Sequence, residues 1–175
     1  MEQRHIISVL VDNHAGVLQR VSGLFSRRGY NIESLSVGVT EDPLISRITI
    51  VVFGDDYILD QIKKQLQKLI VVKKVLELNK KTSIFRELIL IKVKAKPEER
   101  LTIFETANIF RAKIVDLASQ SITIEITGEE TKNEAFIELL APYGIIELSR
   151  TGITALERGN MGINYHNRYD YFKED

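Results

Sequence analysis

Cysteine is absent from the 175 residues. That removes disulfides, thiolate metal sites, iron–sulfur clusters and thiol nucleophiles at once, and it fits a reducing compartment. Net charge is missing as well, because 24 Lys and Arg cancel 24 Asp and Glu. The balance is also local, with 10 basic against 9 acidic residues over 1–79 and 14 against 15 over the rest. A chain that binds polyanions concentrates one sign of charge, so nucleic acid is not an expected partner. Prolines number only three, and 44% hydrophobic with 27% charged residues describes a folded globular chain rather than a disordered one. No long apolar run occurs near the start: Ile6-Ile7-Ser8-Val9-Leu10-Val11 is too short and too poorly flanked for a signal peptide or a membrane span. The expectation is a cytoplasmic chain with no membrane partner. Phosphate loops of the GxxxxGK[ST] type, HExxH, GxSxG and dinucleotide GxGxxG motifs are lacking too, which weighs against an enzyme.

What is present is a repeat. His5–Val11 has strand character, Asp12-Asn13-His14-Ala15-Gly16 interrupts it, and Val17, Leu18, Val21, Leu24 and Phe25 then recur at helical spacing. Arg27 and Arg28 suit the last turn of that helix, and Gly29 suits its left-handed termination. Tyr30–Thr40 is extended, with Leu35, Val37 and Val39 on one face and Ser34, Ser36 and Gly38 on the other. Leu44–Phe53 is a second strand, Asp55 and Asp56 offer caps to a helix carrying Leu59, Ile62, Leu66 and Leu69, and Val71–Leu78 closes the unit. The order strand, helix, strand, strand, helix, strand returns after residue 79. Its elements there are Phe85–Val93, Glu98–Phe110, Ile114–Ser119, Ile122–Thr127, Thr131–Leu140 and Gly144–Ser149. Pro97 marks one helix start and a capping box at Thr131–Glu134 marks the other. The fold class is therefore α+β, two consecutive split-βαβ, ferredoxin-like modules. Apolar residues occur on both faces of the first strand of each module, so the helix-free sheet face is expected to be covered by self-association or a partner.

The first strand-to-helix junction is the most informative local feature. A helix start presents unpaired backbone N–H groups that hold a carboxylate or phosphate, Gly16 admits a close approach to the backbone, and Asn13 both donates and accepts. The competing explanation is structural: Asp12 or Asn13 caps the helix and Gly16 relaxes a tight turn. Asn31, after Gly29-Tyr30, is a second candidate, with turn satisfaction as its alternative. The matching junction of the second repeat, Val93–Glu98, lacks the Asn and Gly arrangement, so two equivalent sites are not expected. His5, His14 and His166 form no metal-ligand motif. The lysines at 63, 64, 68, 73 and 74 are accompanied by Asp55, Asp56, Asp60 and Glu77 and suit a solvated face, while the central strands lack the rings that would stack on RNA. The Tyr and Phe residues near the C-terminus suit either docking or local collapse.

Asp12–Val21, followed by Gly23-Leu24-Phe25-Ser26-Arg27-Arg28-Gly29-Tyr30-Asn31-Ile32-Glu33-Ser34-Leu35, resembles the regulatory small subunit of acetolactate synthase, also called acetohydroxyacid synthase. Asp42-Pro43, Ser46-Arg47 and the Gln61–Leu69 helix extend the resemblance. Arg86-Glu87-Leu88, Glu105–Ile114 and Arg150-Thr151-Gly152 carry it more loosely, over roughly residues 3–158 in all. The resemblance implies an ACT amino-acid-binding domain over 1–79 and a second ferredoxin-like domain over 80–157 for activating the catalytic subunit; the polar aromatic tail over 158–175 departs from the short endings of the family. It also implies a non-catalytic partner of the large catalytic subunit, a homodimer through ACT domains, and feedback inhibition by valine or another branched-chain amino acid. On it, Asn13, Gly16, Val17, Leu18, Asn31 and Ile32 bind the effector. Thiamine diphosphate, Mg and FAD belong to the large subunit, leaving this chain without a cofactor.

Overall fold

The period-two alternation of β1 (Gln3–Asp12) sends Ile7, Val9 and Val11 into one core and Ile6, Ser8 and Leu10 to the opposite face. In the computed structural model, which describes residues 3–160, 162 and 163, β1 is the hub of the first unit. It pairs antiparallel with β3 (Ile45–Gly54) and β4 (Val72–Glu77), and β2 (Ile32–Val39) pairs antiparallel with β3, giving the order β2-β3-β1-β4. Helices α1 (Val17–Arg27) and α2 (Asp56–Gln67) cover one face through Val17, Val21, Leu24, Phe25, Leu59, Ile62 and Leu66. The expected caps hold at two ends. Asp55 accepts from the Ile58 N–H at 2.8 Å, and Gly29 at φ 70° terminates α1 with the Tyr30 N–H returning to the Phe25 carbonyl.

The second unit repeats the plan. β5 (Ser83–Lys94), α3 (Arg100–Ile109), β6 (Lys113–Leu117), β7 (Ser121–Gly128), α4 (Glu130–Leu140) and β8 (Ile145–Arg150) build a sheet of order β6-β7-β5-β8. Ile89, Ile91, Val93, Ile122, Ile124 and Ile126 pack under the helix residues Ile103, Ala107, Phe136 and Leu140. The expected capping box at Thr131 does not form: α4 begins one residue earlier, at Glu130, and no side chain caps it. Asn133, inside that sequence, is instead fully buried and donates from Nδ2 to the Glu87 carbonyl at 3.2 Å. A tertiary hydrogen bond has taken the residues that local chemistry assigned to the helix end.

This packing makes Gly128 a tight position. A Cβ there would lie 2.7 Å from Lys132 Cδ and 2.8 Å from Asn133 Oδ1. The lysine stem can yield, but Asn133 cannot shift without straining its bond to Glu87. Gly128→Ala is expected to destabilise by about 1–3 kcal/mol, read as a lowered midpoint in denaturant unfolding.

The described residues divide into compact units of 3–84 with those from 153 onward, and 85–152. The final strand, β9 (Thr154–Glu157), falls within the first of these units and pairs with β5. The helix-free face of the first sheet is not open as expected, since Ile6, Ser8, Leu10, Thr49, Val51 and Leu76 are buried in the single chain. Part of the cover is the chain itself. Ser36 Oγ donates to the Ile153 carbonyl at 2.7 Å, and the Ile153 N–H donates to Ser34 Oγ at 3.4 Å. The burial of this face therefore supplies no argument for self-association.

Candidate functional site

Chain geometry at the first junction separates the two readings of Asp12–Leu18. Helix α1 begins after Gly16, which takes φ 83° and ψ −10°, and no side chain caps it. Asp12 is occupied elsewhere, with Oδ1 2.9 Å from Lys73 Nζ, and Asn13 donates from Nδ2 to the Pro43 carbonyl at 2.8 Å. Neither residue is the helix cap. The left-handed backbone at 16 explains the glycine, because an L side chain resists that conformation. A Cβ built at Gly16 would meet nothing within 4 Å, so no packing excludes a side chain at that position. No acidic residue sits in the first turn of α1 to compete for its amides.

Val17 is buried in the first core, whereas Leu18, one residue on, is 43% exposed beside the opening. Asn13 keeps its Oδ1 as an acceptor while its amide anchors the loop over Pro43, which the Asn13 N–H reinforces by donating to the Leu44 carbonyl at 2.8 Å. Asn31 is exposed, and Ile32 is half-buried against the first core. These last two are not brought to Gly16 within one chain. Ile32 is level with Val52 and His5, while the junction follows Asp12, seven residues along β1 from His5. At about 3.4 Å per residue the two halves of the expected site stand about 24 Å apart.

His5, the strand residue expected from its neighbours, is buried with Nδ1 3.3 Å from Glu77 Oε1, and Lys63 Nζ lies 3.2 Å from the other carboxylate oxygen. His14 is an exposed loop residue at the junction, and His166 lies outside the described residues, as do Met161 and the aromatic end of the tail from Asn164. Among the described residues no group of three or more His, Asp or Glu side chains could hold a metal ion. No helix among them is long and apolar enough to cross a membrane. One charged residue received no site role in the sequence reading. Arg47 lies on the helix-free face, half-buried, donating from Nη1 to Ser8 Oγ at 2.9 Å. Burial lowers its pKa from the ordinary guanidinium value, partly opposed by the carboxylates of Glu41 and Glu157. Its place in the alternation of β3, with Ser46 and Ile48 on the other face, was the available signal.

Two tandem split-βαβ modules, the first opening its helix at a glycine with no side-chain cap, make this an α+β chain of two ferredoxin-like domains. Residues 7–74 match the model of the AHAS small subunit-like ACT domain, and residues 86–159 match the model of the small subunit of acetolactate synthase. The chain is 57% identical over 157 residues to the probable acetolactate synthase small subunit of Archaeoglobus fulgidus, covering 90% of this chain and 98% of the relative. To the acetolactate synthase small subunit of Mycolicibacterium smegmatis it is 52% identical over 159 residues, covering 91% and 94%. The crystal structure of the acetolactate synthase small subunit from Thermotoga maritima is similar at TM-score 0.85 and 44% identity, over 91% of this chain and 99% of that one. The chain belongs to the acetolactate synthase small-subunit family, the non-catalytic regulatory partners of a thiamine-diphosphate-dependent large subunit in branched-chain amino-acid synthesis.

Proposed function

We propose that this chain activates its large subunit and conveys feedback inhibition by valine or another branched-chain amino acid, bound where two ACT domains meet. The observation that carries the reading is the opening of α1 at Gly16, uncapped and unobstructed. The effector carboxylate accepts from the Leu18 amide, and from that of Val17 in competition with the His14 carbonyl to which it donates at 3.4 Å, where the helix dipole favours negative charge. Asn13 and Asn31 orient its polar groups, and Leu18 and Ile32 contact the branched side chain. A buried methylene contributes roughly 0.8 kcal/mol, so discrimination among valine, leucine and isoleucine is modest.

The separation of the half-sites supports a dimer in this reading. β2 is an edge strand, and its own Val37 and Val39 are exposed. A two-fold axis normal to the sheet at this edge would run β2 antiparallel to its copy. The Asn31 end of one chain then meets the Val39 end of the other, next to that chain's own junction. Binding shifts the population of assemblies, and inhibits only by the difference in affinity between the active and inhibited ones. The second unit, in this reading, is the one that activates the large subunit; thiamine diphosphate, Mg and FAD stay in the latter.

The test is large-subunit activity with and without this chain across a valine titration, paired with calorimetry of the branched-chain amino acids. Activation with saturable inhibition is expected. Activation without any amino-acid binding would leave an assembly adaptor lacking a working effector site. Asn31→Ala is expected to weaken inhibition about 5- to 10-fold in half-maximal valine concentration while subunit association persists, the net cost of about one ordinary hydrogen bond. Unchanged sensitivity would remove Asn31 from the site.

A further inference from the structure

The second sheet ends on β6, and all five residues of that strand, Lys113–Leu117, are exposed. Ile114, Val115 and Leu117 make it apolar, and α3, which packs on this strand, adds exposed Leu101 and Ile109 near its two ends. Arg100 fixes the start of that helix to the end of the strand, donating from Nη2 to the Ala118 carbonyl at 3.1 Å. An apolar strip along an unpaired strand edge is a surface for another chain.

Charge says which chain. On β8, the opposite edge of the same sheet, Glu147 pairs with Lys92, and Arg150 with Glu87 and Glu134. On β6 neither Lys113 nor Asp116 has an ion pair or side-chain hydrogen bond to another described residue, although Lys113 stands across from Glu125. The β6–β7 register shifts between Ile114 and Asp116, so Val115 is an extra residue in the ladder. Because of it Lys113, opposite Glu125, and Asp116, opposite Thr123, lie on one face, while Ile114, opposite Ile124, lies on the other. In a regular strand residues three apart take opposite faces.

A two-fold axis normal to the sheet turns β6 antiparallel to its copy and keeps each face on its own side. With the axis beside Ile114, that residue meets its own counterpart on the helix-covered face. On the other face Lys113 meets Asp116 of the second copy, and Asp116 meets the second copy's Lys113. A lysine by itself discourages edge pairing. Here the opposite charge sits on the rung to which the symmetry brings it, so the edge is complementary to itself.

We propose that β6 is a self-association edge at which two copies of this chain pair antiparallel, set in register by reciprocal Lys113–Asp116 contacts. The contact uses no residue of the effector site and forms with or without an amino acid bound.

The chain has no cysteine, so a single introduced thiol reports the contact without background. In the full chain under oxidised glutathione, Ile114→Cys is expected to give a covalent dimer at least about tenfold faster than Ile146→Cys on exposed β8, because only the former stands opposite its copy. In the Ile114→Cys background, Lys113→Asp or Asp116→Lys sets like charges together twice and slows the reaction about tenfold, and the two together restore it to within about threefold. These positions are exposed, so the thermal midpoint stays within a few degrees. Equal rates at the two thiol positions overturn the proposal, as does a charge reversal without effect or a double swap as slow as either single. If the chain alone does not cross-link and only its large subunit shields the Ile114→Cys thiol from alkylation, the edge belongs to that subunit and the proposal fails as well.

Discussion

Gly16→Asp is expected to raise the valine dissociation constant at least tenfold while the protein stays folded. Two effects of opposite sign act on stability. A side chain at φ 83° is strained by about 1–2 kcal/mol in general, less for Asp, which tolerates the left-handed region better than most residues. Against this, a carboxylate at the start of α1 gains about 0.3–1 kcal/mol from the helix dipole. The space around Gly16 accommodates the added atoms, so the net change is small and the thermal midpoint moves by a few degrees at most. Ligand binding has no such compensation. The new carboxylate occupies the anion position and repels the effector, and a tenfold loss corresponds to only about 1.4 kcal/mol. Calorimetry measures the binding and thermal denaturation the fold. Normal affinity in a folded variant would show that the α1 opening is not the carboxylate receptor. Gly16→Asn, similar in shape but uncharged, is expected to lose less, which separates repulsion from obstruction.

Phe25→Ala carries the largest expected cost in stability, about 3–5 kcal/mol. Phe25 is among the largest fully buried side chains, on the inner face of α1 against the sheet core of the first unit. Its carbonyl also accepts from the Arg28 and Tyr30 N–H groups at the helix end, but truncation leaves that backbone in place. The cost therefore reports cavity and lost burial rather than a broken cap. A module of this size is stable by only several kcal/mol, so denaturant unfolding should show the first unit melting early or already unfolded. A loss below 1 kcal/mol would mean that the neighbouring aliphatics collapse into the space. Activation of the large subunit by this variant should fall with the folded fraction, unlike Gly16→Asp, which is expected to weaken inhibition alone.

Where local chemistry decides local structure, the sequence was legible. Asp55 caps α2 and Gly29 ends α1 because each acts on backbone within a few residues of itself. The core-facing sets Ile7, Val9, Val11 and Ile89, Ile91, Val93 follow from strand periodicity, which leaves no choice of face once one member is assigned. Thr131 shows the limit. Its capping pattern was sound in isolation, yet burial of Asn133 against Glu87 places the helix start at Glu130, and no neighbouring residue encodes that demand.

The site divides along the same line. Sequence alone determined that the first junction differs from its counterpart in the second repeat, and that Gly16 stands at a helix start. Tertiary structure decided that Asp12 pairs with Lys73 and Asn13 with Pro43, leaving the helix uncapped. It also decided that Asn31 and Ile32 lie at the far end of β2, and that Ile153 returns to Ser34 and Ser36 across more than a hundred residues. The physical reason is range. Propensity, capping and alternation act over a turn or a strand, whereas a partner for a buried polar group is chosen by whatever the completed sheet brings within hydrogen-bonding distance.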